Sequence, residues 1–178
     1  RELLARIIAD FMVEPPAVSE NAQAGELPAE LAARLAGAKA EEVASRKEGI
    51  VIGSDQVAEV GGRALGKPGT RERATEQLLA CSGKTLMLHT AVCVIDTRTG
   101  NRQSHTSTAE MQYRALTRAT AARYVAHDDP VDCAGSFKFE SRGVALFERV
   151  RTDDPTGIQG LPLLWLCSCL QGLGLAVL

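Results

Sequence analysis

The run Ile50-Val-Ile-Gly-Ser-Asp-Gln-Val57, with the Gly66-Lys67-Pro68 turn that follows it, constrains this chain more than any other stretch. A short β-branched apolar run closed by glycine is the pattern of a buried strand. The strand is expected to run out at Gly53, to deliver one carboxylate, Asp55, and to be answered by Lys67 on the Gly/Pro turn. In open α/β sheets, ligands gather at the ends of such strands. On residue pattern alone, Asp55 serves equally well as a turn cap.

The rest of the chain alternates helical and extended patterns, which gives an α/β class. Arg1 to about Asp10 reads as a helix with Leu3, Leu4, Ile7 and Ile8 on one face. Phe11–Glu26 is irregular and carries Glu20. Leu27 to about Arg46 is a stronger helix, with Leu27, Leu31 and Leu35 at four-residue spacing and alanines between. Val57–Val60 resumes the extended pattern before a Gly61-Gly62 turn. Thr70 caps a helix from about Arg71 to Cys81, and Ser82-Gly83 stops it. Lys84–Asp96 and Arg102–Tyr113 read as paired strands joined at Thr99-Gly100-Asn101. Thr117 opens a helix to about Ala126, Gly143–Val150 is a further strand, and Leu163–Leu170 is a buried terminal helix. Length and pattern suit a single domain over residues 1–178.

A formal net charge of −2 gives no electrostatic case for a nucleic-acid polymer or an acidic membrane, so local cations must hold any anionic ligand. The five cysteines form no C-x-x-C pair, which points to buried thiols in a reducing cytoplasm rather than a disulfide framework or zinc knuckle. His89, His105 and His127 share no metal-ligand spacing, and there is no G-x-x-x-x-G-K-[ST] loop. Leu161–Leu178 holds no charged residue, but Pro162, Gly172 and Gly174 interrupt it. It reads as core, or as a dimer surface, rather than a membrane span.

Six motifs in one order, Arg1-Glu-Leu-Leu, Arg34-Leu-Ala…Lys39-Ala, Gly53-Ser-Asp-Gln, Gly66-Lys-Pro, Ala134-Gly-Ser-Phe and Gly160-Leu-Pro-Leu, together resemble the Maf family of nucleotide pyrophosphatases. Gln56, the Cys133–Lys138 run with Glu140, and Asp154-Pro155 are similar to the branch acting on 7-methyl-GTP. The resemblance implies an inosine triphosphatase-like α/β fold, a mixed twisted sheet flanked by helices, with two lobes around a cleft. It implies hydrolysis of the α–β phosphoanhydride of a nucleoside triphosphate, which would remove a modified nucleotide from the pool.

By the same resemblance Asp55 is the general base, and Lys39 and Lys67 are phosphate ligands. Glu20 and Asp55 share Mg²⁺ or Mn²⁺, ions that take carboxylate and phosphate oxygens. Glu140 is expected to read the base, because a carboxylate accepts from both N–H donors on guanine's pairing edge, with Gln56 shaping the pocket beside it. Without the resemblance, Glu140 reads as a surface residue in a Glu-Ser-Arg-Gly turn. A homodimer is likewise implied.

The family begins with a strand and a Ser-rich, Arg-containing loop ahead of Arg-Glu-Leu-Leu. That segment is expected upstream of Arg1, which falls one position past the family's arginine. Trp165, on the terminal helix, does not replace the aromatic specificity residue of the same segment. Val18-Ser19-Glu20 carries Ser where the family usually has an acid. The competing functions are dTTP or UTP hydrolysis, a nucleotide-binding regulator of septum formation without turnover, and a catalytically dead domain.

Overall fold

The computed structural model describes residues 2–177. Five strands, β1 (Ile50–Val60), β2 (Arg63–Leu65), β3 (Thr85–Asp96), β4 (Asn101–Tyr113) and β5 (Phe147–Arg151), hydrogen-bond in the order β2-β1-β3-β4-β5. Four α-helices complete the chain: α1 (Pro28–Ala44), α2 (Arg71–Cys81), α3 (Arg118–Asp128) and α4 (Leu163–Gly172). The α/β class expected from sequence stands. β1 pairs with β2 and β4 with β5, both antiparallel. The chain divides into two compact units, residues 2–56, 90–107 and 154–177 in the first and residues 57–89 and 108–153 in the second.

In the first unit, Val92 and Val94 of β3 meet Leu163, Leu166, Cys169 and Leu170 of α4 in a buried cluster that Ile50 and Ile52 of β1 join. Alternation along β1 decides what lies on each side. Ile50, Ile52, Ser54 and Gln56 share one face, and Val51, Gly53 and Asp55 the other. Small residues line the buried face of α1, with Ala32, Ala36, Gly37 and Ala40 beside Leu31 and Leu35. A helix with so shallow a ridge can lie very close to a strand.

The N-terminal segment forms only a 3-10 turn at Leu4–Arg6, where a longer helix was expected. Its N-terminus has no side-chain cap, and so short a piece is not helical by itself. The apolar face was nonetheless legible, since Leu3, Leu4, Ile7 and Ile8 all pack on the α4 cluster. Arg1 lies outside the described residues. Trp165 of α4 stacks on His105 of β4, with ring centroids 5.3 Å apart and planes 12° off parallel. Among the described residues no helix is long and apolar enough to cross a membrane.

In the second unit, α2 packs against α3. Leu78 and Cys81, Tyr124 and Val125, and Leu86, Leu88, Met111 and Tyr113 of the strands are all buried. Phe147 anchors β5 there, 4.4 Å from the Tyr113 ring and edge-on to Phe137 at 5.1 Å between centroids. The strand expected over Gly143–Val150 starts only at Phe147, because residues 142–146 form a 3-10 turn. Gly143 donates to the carbonyl of Lys138 at 3.0 Å, and a Cβ on it would stand 2.3 Å from that oxygen.

Candidate active site

The strand expected to stop at Gly53 runs on to Val60, so Asp55 sits mid-strand rather than at a strand end. Gly53 is a contact point and not a breaker. A Cβ there would meet the Ala36 carbonyl at 2.5 Å and the Ala40 nitrogen at 2.6 Å, so only glycine lets α1 lie this low on β1. Asp55, two residues on, faces the same side, and Lys39 is the α1 residue above it. Its ammonium lies 2.6 Å from Asp55 Oδ1 and 2.6 Å from Glu20 Oε1.

This triad is partly dry: the side chains of Asp55 and Lys39 are 11% and 17% exposed, and Glu20 at 56% forms the open side. Burial works against the Lys39 ammonium, but hydrogen bonds to the Asp55 and Glu20 carboxylates outweigh it and hold its pKa above the ordinary lysine value. A cavity of about 330 Å³ lined by Glu20, Lys39, Gly53 and Ser54 opens beside the triad. A larger cavity of about 400 Å³ between the N-terminal segment and β1 is mostly apolar, and no member of the triad lines it.

Glu20 belongs to a loop that Arg34 of α1 holds in place. The guanidinium grips Glu26 with two bonds, 2.5 Å from Nε and 2.8 Å from Nη2, and donates to the Asn21 carbonyl at 3.0 Å. That fork holds the Glu26 carboxyl down to about 2. The structural role of Arg34 was not foreseen. Its sequence signals are the Arg34-Leu-Ala…Lys39-Ala motif and its place on the helix that carries Lys39, downstream of a loop with an acid.

Gln56 follows Asp55 in sequence but faces the other side of β1. Its amide nitrogen donates to Thr90 Oγ1 at 2.8 Å and to the carbonyls of Gly157 and Ile158 at 2.9 and 3.2 Å. Ser54 adds bonds to the carbonyls of Ala91 at 2.8 Å and Gly160 at 3.0 Å, and Thr90 bonds Gly157 at 2.8 Å. Asp154 secures the far end of the same loop. It accepts from Thr156 N and Oγ1 at 3.0 and 2.6 Å and from Leu164 N at 2.8 Å, which caps α4. The Ser-x-Gln alternation was the available sign of this polar face.

Lys67 and Glu140 belong to the second unit, and both are exposed. The Lys67 loop is fixed by a bond from Gly69 N to the Val131 carbonyl at 2.9 Å and one from Gln77 Nε2 to the Gly66 carbonyl at 3.2 Å. Glu140 stands at the tip of a turn closed by Ser141 and Gly143, which donate to the Lys138 carbonyl at 3.3 and 3.0 Å. Thus the structure brings Glu20, Lys39 and Asp55 together within one unit, and sets Gln56 on the opposite face of their strand.

The site also bears on metal binding. Among the described residues no three His, Cys, Asp or Glu side chains cluster as ligands. Glu20 and Asp55 nevertheless reach one cation, the Lys39 ammonium, at equal distances. Two hard-oxygen carboxylates converging this way fit Mg²⁺ or Mn²⁺, which need few protein ligands when phosphate and water supply the rest.

A carboxylate on a central strand, an ammonium held against it and a second acid on an anchored loop stand in a chain whose residues 1–173 match the family model described as Maf-like protein, and the chain belongs to the Maf family. Among curated relatives, it is 45% identical to the 7-methyl-GTP pyrophosphatase of Albidiferax ferrireducens, across 100% of this chain and 90% of that protein. The protein of that name from Xanthomonas oryzae pv. oryzae is 48% identical over 98% of this chain and 91% of its own length. The one from Bordetella pertussis is 47% identical over 98% and 87%.

Proposed function

We propose that this protein is a nucleoside triphosphate pyrophosphatase that converts 7-methyl-GTP and water to 7-methyl-GMP and pyrophosphate. The observation that carries the reading is the convergence of Asp55 and Glu20 on Lys39, in a Maf chain whose near relatives bear that activity in their names.

In this mechanism Asp55 accepts a proton from the attacking water. The water oxygen joins phosphorus, the bridging P–O bond of the α–β anhydride breaks, and pyrophosphate leaves with the bond's electrons. The Lys39 ammonium aims the carboxylate and faces the phosphate charge, as Lys67 does on its Gly/Pro turn. No covalent adduct is needed, so alignment and charge placement supply the acceleration. Glu20 and Asp55 would hold a divalent cation, whose chemistry is to neutralise phosphate charge and polarise the anhydride. Glu140 takes the pairing edge of the methylated guanine, and its negative charge favours a base made cationic at N7. Gln56 serves the base pocket indirectly, by fixing the Gly157–Ile158 backbone.

The same reading places the enzyme in the cytoplasm as a homodimer. Five free thiols and the exposed Leu164 on α4 support it. The test is pyrophosphate release across a panel of 7-methyl-GTP, GTP, dTTP and UTP with Mg²⁺ or Mn²⁺. Preference for 7-methyl-GTP is the expected result. Preference for a pyrimidine triphosphate overturns the substrate assignment, and tight binding without turnover favours a regulatory role.

A further inference from the structure

A separate cavity lies beside α3 within the second unit, lined by no residue given a role above. Arg123 and His127 stand one turn apart on α3, and Arg142 opens the 3-10 turn that follows Glu140. Together with Thr120 they border a cavity of about 250 Å³ whose floor is Tyr124 and Leu146. Both floor residues are buried, while Arg123, His127 and Arg142 are exposed at the rim.

What marks this group is that two arginines border one cavity without spending their charge on a carboxylate. Arg34, Arg46, Arg71, Arg98, Arg102 and Arg118 each hold a carboxylate. Among the described residues, neither Arg123 nor Arg142 forms a side-chain ion pair, and both border the same cavity. Two acids stand nearby, and neither forms a side-chain ion pair with Arg123 or Arg142 among the described residues. Asp128 accepts the backbone N–H of Arg142 at 3.0 Å, and Asp129 pairs with Arg71 at 2.7 Å. The walls are also held rigidly, because the Lys138 ammonium donates to the Asp128 and Asp129 carbonyls at 2.8 and 3.3 Å and the Tyr124 hydroxyl accepts from Lys138 N at 2.9 Å.

The geometry points to a binding site for a compact phosphate dianion, free or as a phosphomonoester, held by the guanidinium groups of Arg123 and Arg142 with His127 and the Thr120 hydroxyl beside them. Planar guanidinium forks match tetrahedral phosphate oxygens, and the cavity admits one such group with a small substituent. An anion bridging Arg123 to Arg142 cross-links α3 to the turn that displays Glu140. The claim concerns binding alone and does not depend on the proposed activity.

The experiment is an amide NMR titration of the intact protein with inorganic phosphate, and separately with methyl phosphate. Saturating shifts at Thr120–His127 and Arg142–Leu146 are expected, and these should persist in Lys39→Ala, which alters the other anion-attracting site. Arg123→Gln with Arg142→Gln should weaken this binding by about tenfold or more, since each removes a charge-assisted bond. The two residues are exposed, so the double variant should keep its melting temperature, and His127→Gln supplies a single milder loss. Tighter methyl phosphate identifies a phosphomonoester as the natural ligand, and tighter phosphate the free ion. Shifts that fail to saturate, that fall elsewhere, or that survive the double substitution overturn the site.

Discussion

Gly53 of β1 and Ala36 of α1 are in backbone contact, close enough that a methyl group on the glycine would stand 2.5 Å from the alanine's carbonyl oxygen. Backbone cannot swing aside as a long side chain can, so Gly53→Ala must lift the helix. Overpacking of this kind costs about 1–3 kcal/mol of stability. Lifting α1 also draws Lys39 away from Asp55, and a displacement near 1 Å at a reacting centre can cost about 100-fold in rate. Chemical denaturation and steady-state turnover measure the two losses together. A variant as stable and active as the parent removes the claim that this contact sets the site.

Asp55→Asn keeps shape and hydrogen bonding but cannot take a proton from water. Pyrophosphate release should fall by about 10²- to 10⁴-fold. Calorimetric binding of 7-methyl-GTP should survive in large part. Turnover near the parental rate would falsify the general-base role.

Gln56→Ala takes a donor from the Ile158 carbonyl and from Thr90 Oγ1 in a part-buried place, while the Gly157 carbonyl keeps the Thr90 hydroxyl. A loss of about 1–3 kcal/mol is expected. Because Asp55 faces the other side of the strand, the kcat of the folded variant should change far less than in Asp55→Asn. An equal fall in kcat would mean that the amide acts on the reacting centre.

The Arg34 fork lowers the Glu26 carboxyl from 4.5 to about 2. A group depressed in the folded state stabilises fully above its unfolded pKa, and that contribution drains away as pH falls through the folded value. The melting-temperature gap between the parent and Glu26→Gln should therefore be widest near neutrality. It should begin to close below about pH 5 and vanish near pH 2. A gap that ignores pH would show the bond to be structural only.

Glu140→Gln exchanges an acceptor-only group for one that both donates and accepts. The ratio of kcat/KM for 7-methyl-GTP over UTP should drop by about tenfold or more, with the fold intact because the residue is exposed. An unchanged ratio moves base reading to another residue.

Elements with strong local punctuation are legible in the sequence. Thr70 accepts from Arg73 N and Gly83 takes a φ of +68°, so α2 begins and ends where its cap and stop signal put it. Thr117 opens α3 in the same way. Gly53 misled because a glycine that ends a strand and a glycine that admits a helix look identical in sequence. Only the shallow alanine face of α1, far upstream at Ala36 and Ala40, distinguishes them, and that is a tertiary fact. The resemblance pairs Glu20 with Asp55 and gives Lys39 to phosphate, yet nothing local announces that Lys39 bridges the two acids. The position of Glu20 depends on the long-range grip of Arg34 on Glu26. The strand pattern expected over Gly143–Val150 gives way up to Leu146, where the bond from Gly143 to the Lys138 carbonyl holds a 3-10 turn.

The stacked Trp165 has a practical corollary. It is the only tryptophan in the chain, and it lies in the first unit, whereas both tyrosines, Tyr113 and Tyr124, lie in the second. Red-edge excitation therefore lights up one half of the molecule while the other stays dark. Comparing that emission with far-ultraviolet dichroism during a melt tells directly whether the halves come apart together or in turn.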